Sequence, residues 1–398
     1  MTKTFISRNN YLEKIKPFIN KDIVKVLIWQ RRVWKSYLLL QIIDFLQSSW
    51  IDKKDIIYLN KEDIKWDFVS DYNVLYEQVK DFKYIFIDEI QNIQDWEKTI
   101  RSLQSNWNYD IYITGSNSNL LSWELATFLA WRYISFQVYS LNYKEFLQFH
   151  NLKNSEKSFY KYLQFGWLPY LKNLSLDEEI VNSYLKDVVN TIILKDIISR
   201  FKIRNVNFLR KLIWYLAKQI GNIFSAKKIS DYLKSQQVKI SPNIVLDYID
   251  YSLQSMILNE VKRYDIKWKK TFEIKQKYYF TDIWLRNVLS WGFTTLDIWW
   301  ILENVVFINL LSAGYNITIW EIQKKEIDFI AEKNGKIMYI QVSYLLESNE
   351  TIEREFWAFK WIKDNRPKYV ISLDKNAKWF IDGIEHKNLI DFIMEILN

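Results

Sequence analysis

Lys35 and Ser36 follow an apolar run, Val26 to Ile28, and open a second apolar stripe that continues to Leu40. Between the two lie Trp29, Gln30, Arg31, Arg32, Val33 and Trp34. The frame is that of a phosphate-binding loop, G-x-x-x-x-G-K-[ST], with tryptophan at both glycine positions. Such a loop aims successive backbone N–H groups at an anion beside a helix N-terminus. Glycine is needed because the chain visits positive φ and must lie against the phosphates. Tryptophan costs about 1–2 kcal/mol in a left-handed conformation. Its ring, some 150–250 Å² of surface, fills the phosphate volume. With tryptophan at 29 and 34 no useful ATP affinity is expected. With glycine, Lys35 reaches the β/γ phosphates and Ser36 supplies a Mg²⁺ ligand.

Further groups of the right type follow in order. The apolar stretch YIFIDEI ends in Asp88 and Glu89. Asp88 would hold the Mg²⁺ shell, and Glu89 would orient or activate an attacking water. The stretch IYITGSNS puts Thr114, Ser116 and Asn117 at the end of the next apolar run, where a polar group could sense a γ-phosphate. Arg132 is a candidate arginine finger for a neighbouring subunit. Each has a bland reading: acidic strand ends are common, a Lys-Ser pair alone means little, and a surface arginine is usually just solvated. The order and placement of the set point to binding and hydrolysis of Mg-ATP.

These groups need a scaffold that brings strand ends together. Strand-like and helix-like patterns alternate through the first 150 residues or so: DIVKVLI, then KSYLLLQIIDFLQ, then DIIYLN, KYIFIDEI and DIYITGS. Short apolar runs with polar C-terminal ends predict an α/β fold with a buried parallel sheet covered by helices. The pattern then turns helical. NFLRKLIWYLAKQI, SAKKISDYLKSQ (Ser225 as N-cap) and SPNIVLDYIDYSLQSM (Ser241 as N-cap, Pro242 at the first position) read as three helices. ILNEVKRYDI and EIKQKYYFTDI read as a hairpin, which together suggest a winged helix. The last hundred residues predict a small mixed α/β domain.

Composition bounds the chemistry. The chain has 398 residues, no cysteine and two histidines, His150 and His386. Disulfides and thiolate metal sites are excluded, and a histidine-built metal site or Ser-His-Asp triad is disfavoured. No apolar run reaches bilayer-spanning length, and the N-terminus lacks the pattern of a secretory signal, so a cytoplasmic protein without membrane contact is expected. A formal net charge of +8 suits a nucleic-acid partner. However, the charge is scattered, and the abundance of Lys, Ile, Asn, Tyr and Phe reads as an A/T-rich coding bias.

Glycine numbers only 7 and tryptophan 19. Together they approach the roughly 7% that glycine alone averages. Several tryptophans stand where glycine belongs: at 29 and 34, in LSWELATFLAWRY and FGWLPY, and in DIWW. The reading is that the gene encodes glycine with UGA, as in some bacterial lineages, and was translated with UGA as tryptophan. Others, such as Trp96, read as genuine.

The chain resembles prokaryotic AAA-superfamily P-loop ATPases that carry a C-terminal domain of unknown function with a restriction-endonuclease-like fold. The carriers are WQRRVWKS, FIDEIQNI, TGSNSNLLSWELATFLAWRY, SLNYKEFL, GWLPYL, YYFTDIWLRN, LENVVFINLL, KEIDFIAEKNGKIMYIQVSY and RPKYVISLD. With glycine for tryptophan at 29, 34, 123, 131, 167, 284 and 300 the match is close. The resemblance implies an ATPase domain over 1–155, a helical lid and winged-helix-like domain over 156–290, and an endonuclease-like domain over 291–398. In active sites of that last kind, a carboxylate on one strand and a Glu-x-Lys on the next bind divalent metal. Here Glu303, Asp328 and Gln341-Val342-Ser343 fall at the corresponding places. Glutamine lacks the ligand charge and serine cannot replace lysine, so a catalytically inactive, partner-recognising domain is expected. A homo-oligomer, and a DNA or protein partner reached through residues 205–398, are the associations expected. Lys227, Lys228, Lys234 and Lys239 are the candidate phosphate contacts.

Overall fold

The computed structural model describes residues 7–28, 35–106, 108–115, 132–264, 276–290, 292–294, 298–322, 325–375 and 379–398. Two compact units emerge, one of Met1–Tyr139 with Gln254–Met256, the other of Ser140–Leu253 with Ile257–Asn398.

In the first unit the order is α1 (Asn9–Ile15), β1 (Val24–Ile28), α2 (Lys35–Ser48), β2 (Ile56–Asn60), α3 (Tyr72–Val79), β3 (Tyr84–Asp88), α4 (Trp96–Ser105), β4 (Asp110–Gly115) and β5 (Tyr133–Gln137). Strands β1, β3 and β4 are buried at every residue. That explains their unbroken apolar runs, since a parallel strand covered on both faces has no polar side. The sheet is parallel throughout, in the order β2-β3-β4-β1-β5. Four of these strands match the runs expected from sequence. Strand β5 does not, because its half-exposed edge position leaves no apolar run to recognise.

Helix α2 ends in a left-handed cap. Trp50 N–H donates to Gln47 O (3.2 Å) and Ile51 N–H to Leu46 O (3.2 Å). Trp50 itself sits at φ +67° with its side chain 98% exposed. This is the position that glycine fills in most such caps. Trp96, by contrast, is buried in the sheet's core with Val69, Ile90 and Ile100.

The second unit begins with helices α5 (Tyr143–Phe149), α6 (Glu156–Phe165), α7 (Glu178–Thr191), α8 (Val206–Lys218), α9 (Ala226–Ser235) and α10 (Pro242–Gln254). Ser225 caps α9 by accepting from Lys228 N at 3.3 Å, and Ser241 Oγ accepts from Ile244 N at 3.4 Å beside Pro242. Then come β6 (Leu258–Val261), β7 (Arg263–Tyr264), β8 (Lys277–Phe280), α11 (Ile283–Leu289) and α12 (Ile298–Ser312). The expected hairpin is narrower than its apolar pattern: β6 pairs antiparallel with β8, while β7 departs to pair parallel with β9 (Asn316–Ile322). The remaining elements are β10 (Lys325–Lys333), β11 (Lys336–Val342), α13 (Asn349–Trp357), β12 (Lys368–Ser372), β13 (Phe380–Ile381), β14 (Ile384–Asn388) and α14 (Leu389–Ile396). The mixed sheet runs β13-β14-β12-β11-β10-β9-β7.

Trp167 and Trp284 are fully buried in this unit. The Trp167 indole N–H donates to Tyr162 O at 3.1 Å, and its ring stacks on Tyr162 at 5.0 Å. The Trp284 indole nitrogen is buried without a hydrogen-bond partner. Gly166 (φ +74°) lies so close that a Cβ there would stand 2.5 Å from Trp284 Cβ. Trp300 is exposed on α12.

Candidate functional site

Strand order builds the site. Because β4 lies between β1 and β3, the C-terminal ends of all three are adjacent. Leu27 pairs with Thr114 and Ile28 with Gly115, while Ile87 pairs with Ile113. One step beyond that last pair, Thr114 on β4 and Asp88 on β3 stand side by side. Such crevices beyond the carboxyl ends of parallel strands are where α/β sheets place ligands.

Asp88 is the centre of the arrangement and is buried. Ser36 Oγ, in the first turn of α2, donates to its Oδ2 at 2.6 Å. Tyr58 OH, from the middle of β2, donates to the same oxygen at 3.2 Å. Thr114 donates to Oδ1 and accepts the backbone N–H of Glu89 at 3.1 Å. Charge-assisted bonds of this kind are about twice as strong as neutral ones. Burial first, and then the neighbouring Asp88 charge, hold the Tyr58 phenol above its ordinary pKa, so it remains a donor.

Glu89 is buried and left-handed, at φ +57° and ψ +49°. This conformation turns it out of the strand line, and Gln91 Nε2 donates to its Oε2. For glutamate such a backbone is strained by about 1–2 kcal/mol. Strain of this sort is typical of functional positions.

Of the residues singled out from sequence, Ser36, Asp88, Glu89 and Thr114 are brought together. Residues 29–34, Ser116 and Asn117 lie outside the described residues, as do positions 123 and 131. Arg132 is exposed just before β5, its NH1 4.0 Å from Asp22 Oδ2. Its backbone oxygen accepts from Gln104 Nε2 at 2.8 Å. Tyr58 and Gln91 were missed by sequence reasoning. A tyrosine within a strand and a glutamine after an acidic pair carry no pattern of their own. Among the described residues, as they stand, no three His, Cys, Asp or Glu side chains are arranged to hold a metal ion, and none of the helices is long and apolar enough to cross a membrane.

In the second unit Lys227, Lys228, Lys234 and Lys239 are all exposed. Asp328 lies on β10 and is buried, its Oδ2 accepting from Val342 N at 2.9 Å. Gln341 Nε2 donates to Glu355 Oε2 at 3.0 Å, and Ser343 Oγ donates to Leu345 O at 3.5 Å.

Comparison with known proteins places families along the chain. Residues 21–147 match the AAA domain family. Residues 156–295 match a domain of unknown function, DUF8612, and residues 300–389 match another, DUF4143. A solved DNA replication initiation factor aligns over 62% of this chain and 89% of its own at 13% identity. Its TM-score of 0.29 is too low to inform the reading of this chain. An uncharacterized protein of Methanocaldococcus jannaschii is 32% identical over 386 residues, covering 89% of this chain and 84% of that one. An uncharacterized protein of Haemophilus influenzae is 34% identical over 406 residues, covering 99% of this chain and 100% of that one. The chain belongs with that Haemophilus protein in one family, built here as an AAA domain followed by two domains of unknown function.

Proposed function

We propose that the native protein is a Mg-ATP-dependent ATPase whose cycle changes the conformation of its C-terminal domains, and that it carries glycine at positions 29 and 34. The observation behind the ATPase reading is the meeting of Ser36, Asp88 and Thr114 beyond the ends of β1, β4 and β3. The donor set fits Mg²⁺, which takes hard oxygen ligands from one or two side chains and completes its shell with phosphates and water. Ser36 and Asp88 would hold the ion, which when bound offsets the charge developing on the transferred phosphoryl group. Thr114 and Tyr58 fix the rotamer of the Asp88 carboxylate. Glu89 orients the attacking water and receives its proton. Lys35 contacts the β/γ phosphates, Ser116 approaches the γ-phosphate, and Arg132 acts on the site of a neighbouring subunit. Residues 156–290 serve as a lid with a winged-helix-like part, and 291–398 as a recognition domain.

Glycine at 29 and 34 follows from UGA being read as glycine in the source cell. The cap at Trp50 supports this: a fully exposed ring on a left-handed residue has no packing to offset its strain.

The test is ATP binding and hydrolysis by two recombinant chains, one as printed and one carrying Trp29→Gly and Trp34→Gly. Only the glycine form is expected to bind ATP, and its failure to do so sinks the ATPase reading. Peptide sequencing of the protein from its own cell decides the coding question separately; tryptophan at 29, 34 and 50 there ends it.

A further inference from the structure

Lys277, the first residue of β8, is buried at 2% exposure. Its Nζ lies 3.1 Å from Glu326 Oε1, 3.4 Å from Glu303 Oε2 and 3.7 Å from Asp328 Oδ1. Glu326 and Asp328 are two apart on β10 and so share a face, while Glu303 comes from α12. Tyr279, on the same face of β8 as Lys277, donates to Glu303 Oε2 at 3.0 Å. Gly221 encloses the other side of Glu303. At φ +74° it approaches so closely that a Cβ would stand 2.7 Å from Glu303 Oε2.

The endonuclease-like resemblance implies a divalent metal at the positions of Glu303, Asp328 and Gln341, and the residues present do not fit one. The ammonium occupies the point to which the three carboxylates converge. Residue 341 is an amide engaged with Glu355, and Ser343 turns to Leu345 O. A second cation beside the ammonium would meet repulsion strengthened by the burial of Lys277. Burial alone would lower the pKa of Lys277, but Glu303, Asp328 and Glu326 outweigh it and hold it raised, so it stays charged. Burial and then Glu303 push Asp328 well up, against the pull of Lys277.

We propose that Lys277 is a resident cation standing where a divalent metal would bind, and that it fastens the β6–β8 strand pair to α12 and β10. The site therefore takes no metal while Lys277 is present, and removing the ammonium opens it to one. The basic group missing at position 343 is supplied from another strand, where it neutralises the carboxylates instead of serving a metal-bound water. This inference stands apart from the ATPase reading.

The experiment compares Mn²⁺ binding and thermal melting of the full chain with and without Lys277→Ala, both carrying Asp88→Asn so that the nucleotide site contributes nothing. The parent is expected to show neither Mn²⁺ binding nor a melting shift. Lys277→Ala is expected to melt at lower temperature, to bind Mn²⁺, and to recover stability as it does so. Adding Asp328→Asn should abolish that recovery. If Lys277→Ala does not fold, Lys277→Gln with Glu326→Gln removes one charge of each sign and is read in the same way. Mn²⁺ binding by the parent overturns the proposal, and so does a folded Lys277 variant that ignores Mn²⁺.

Discussion

Ser36 Oγ donates to Asp88 Oδ2 across 2.6 Å, tying the first turn of α2 to the end of β3 through two residues 52 positions apart in the chain. β1, the strand that precedes α2, is not a neighbour of β3. β4 stands between β1 and β3, and its Thr114 grips the other oxygen of the same carboxylate. The carboxylate is thus held from both sides before any ligand arrives, which is the preorganisation that charge-stabilising sites require.

With glycine at 29 and 34, the proposed ATPase function has Asp88→Asn removing the charge on which the metal would depend. Loss of metal assistance costs several kcal/mol of transition-state stabilisation, roughly 100-fold or more in rate. Glu89→Gln should lower kcat by about 10²–10⁴-fold, the usual contribution of a general base, while leaving ATP binding in place. Phosphate release and nucleotide binding measured together separate the two variants. An Asp88→Asn protein that hydrolyses at the parent rate contradicts the assignment.

Trp50→Gly should raise the stability of the recombinant chain by about 1 kcal/mol, since it relieves a left-handed strain and gives up no buried contact. Denaturant or thermal melting reads this directly, and a loss of stability runs against the cap geometry.

Asp282 caps α11 from full burial, its Oδ1 accepting from Trp167 N at 3.0 Å and Trp284 N at 3.3 Å. Burial, opposed by the hydrogen bonds it accepts, pushes its pKa up to about 8. Its unfolded value lies near 4. The folded state therefore binds more protons across that window, and stability falls as pH rises from about 4 to about 8. Below the unfolded pKa the contribution is fully present. Asp282→Asn should flatten this part of the stability profile in pH-dependent denaturant melts. A variant whose slope equals that of the parent discounts the group.

The AAA sheet was legible because buried parallel strands write themselves as unbroken apolar runs, and because Lys35-Ser36, Asp88-Glu89 and Thr114 stand at their ends. β5 and β14 were not legible, since strands with alternating or part exposure look like loop. Tyr58 became part of the site only through the pairing of β2 with β3, a long-range fact that no local spacing encodes. Lys277 was hidden for the same reason. It stands in the stretch read as a hairpin, yet its charge is spent on carboxylates that follow it later in the chain. The departure of β7 to the large sheet depends on a partner, β9, that its own two residues cannot announce.

If Glu89 acts in hydrolysis as proposed, its left-handed backbone sets robustness and turnover against each other at a single position. Glycine or asparagine would rest there with less strain than glutamate does. A chain selected only to stay folded would therefore be free to discard the carboxylate, and a directed-evolution campaign for heat tolerance without an activity screen would be drawn to residue 89, at the expense of the proposed hydrolysis.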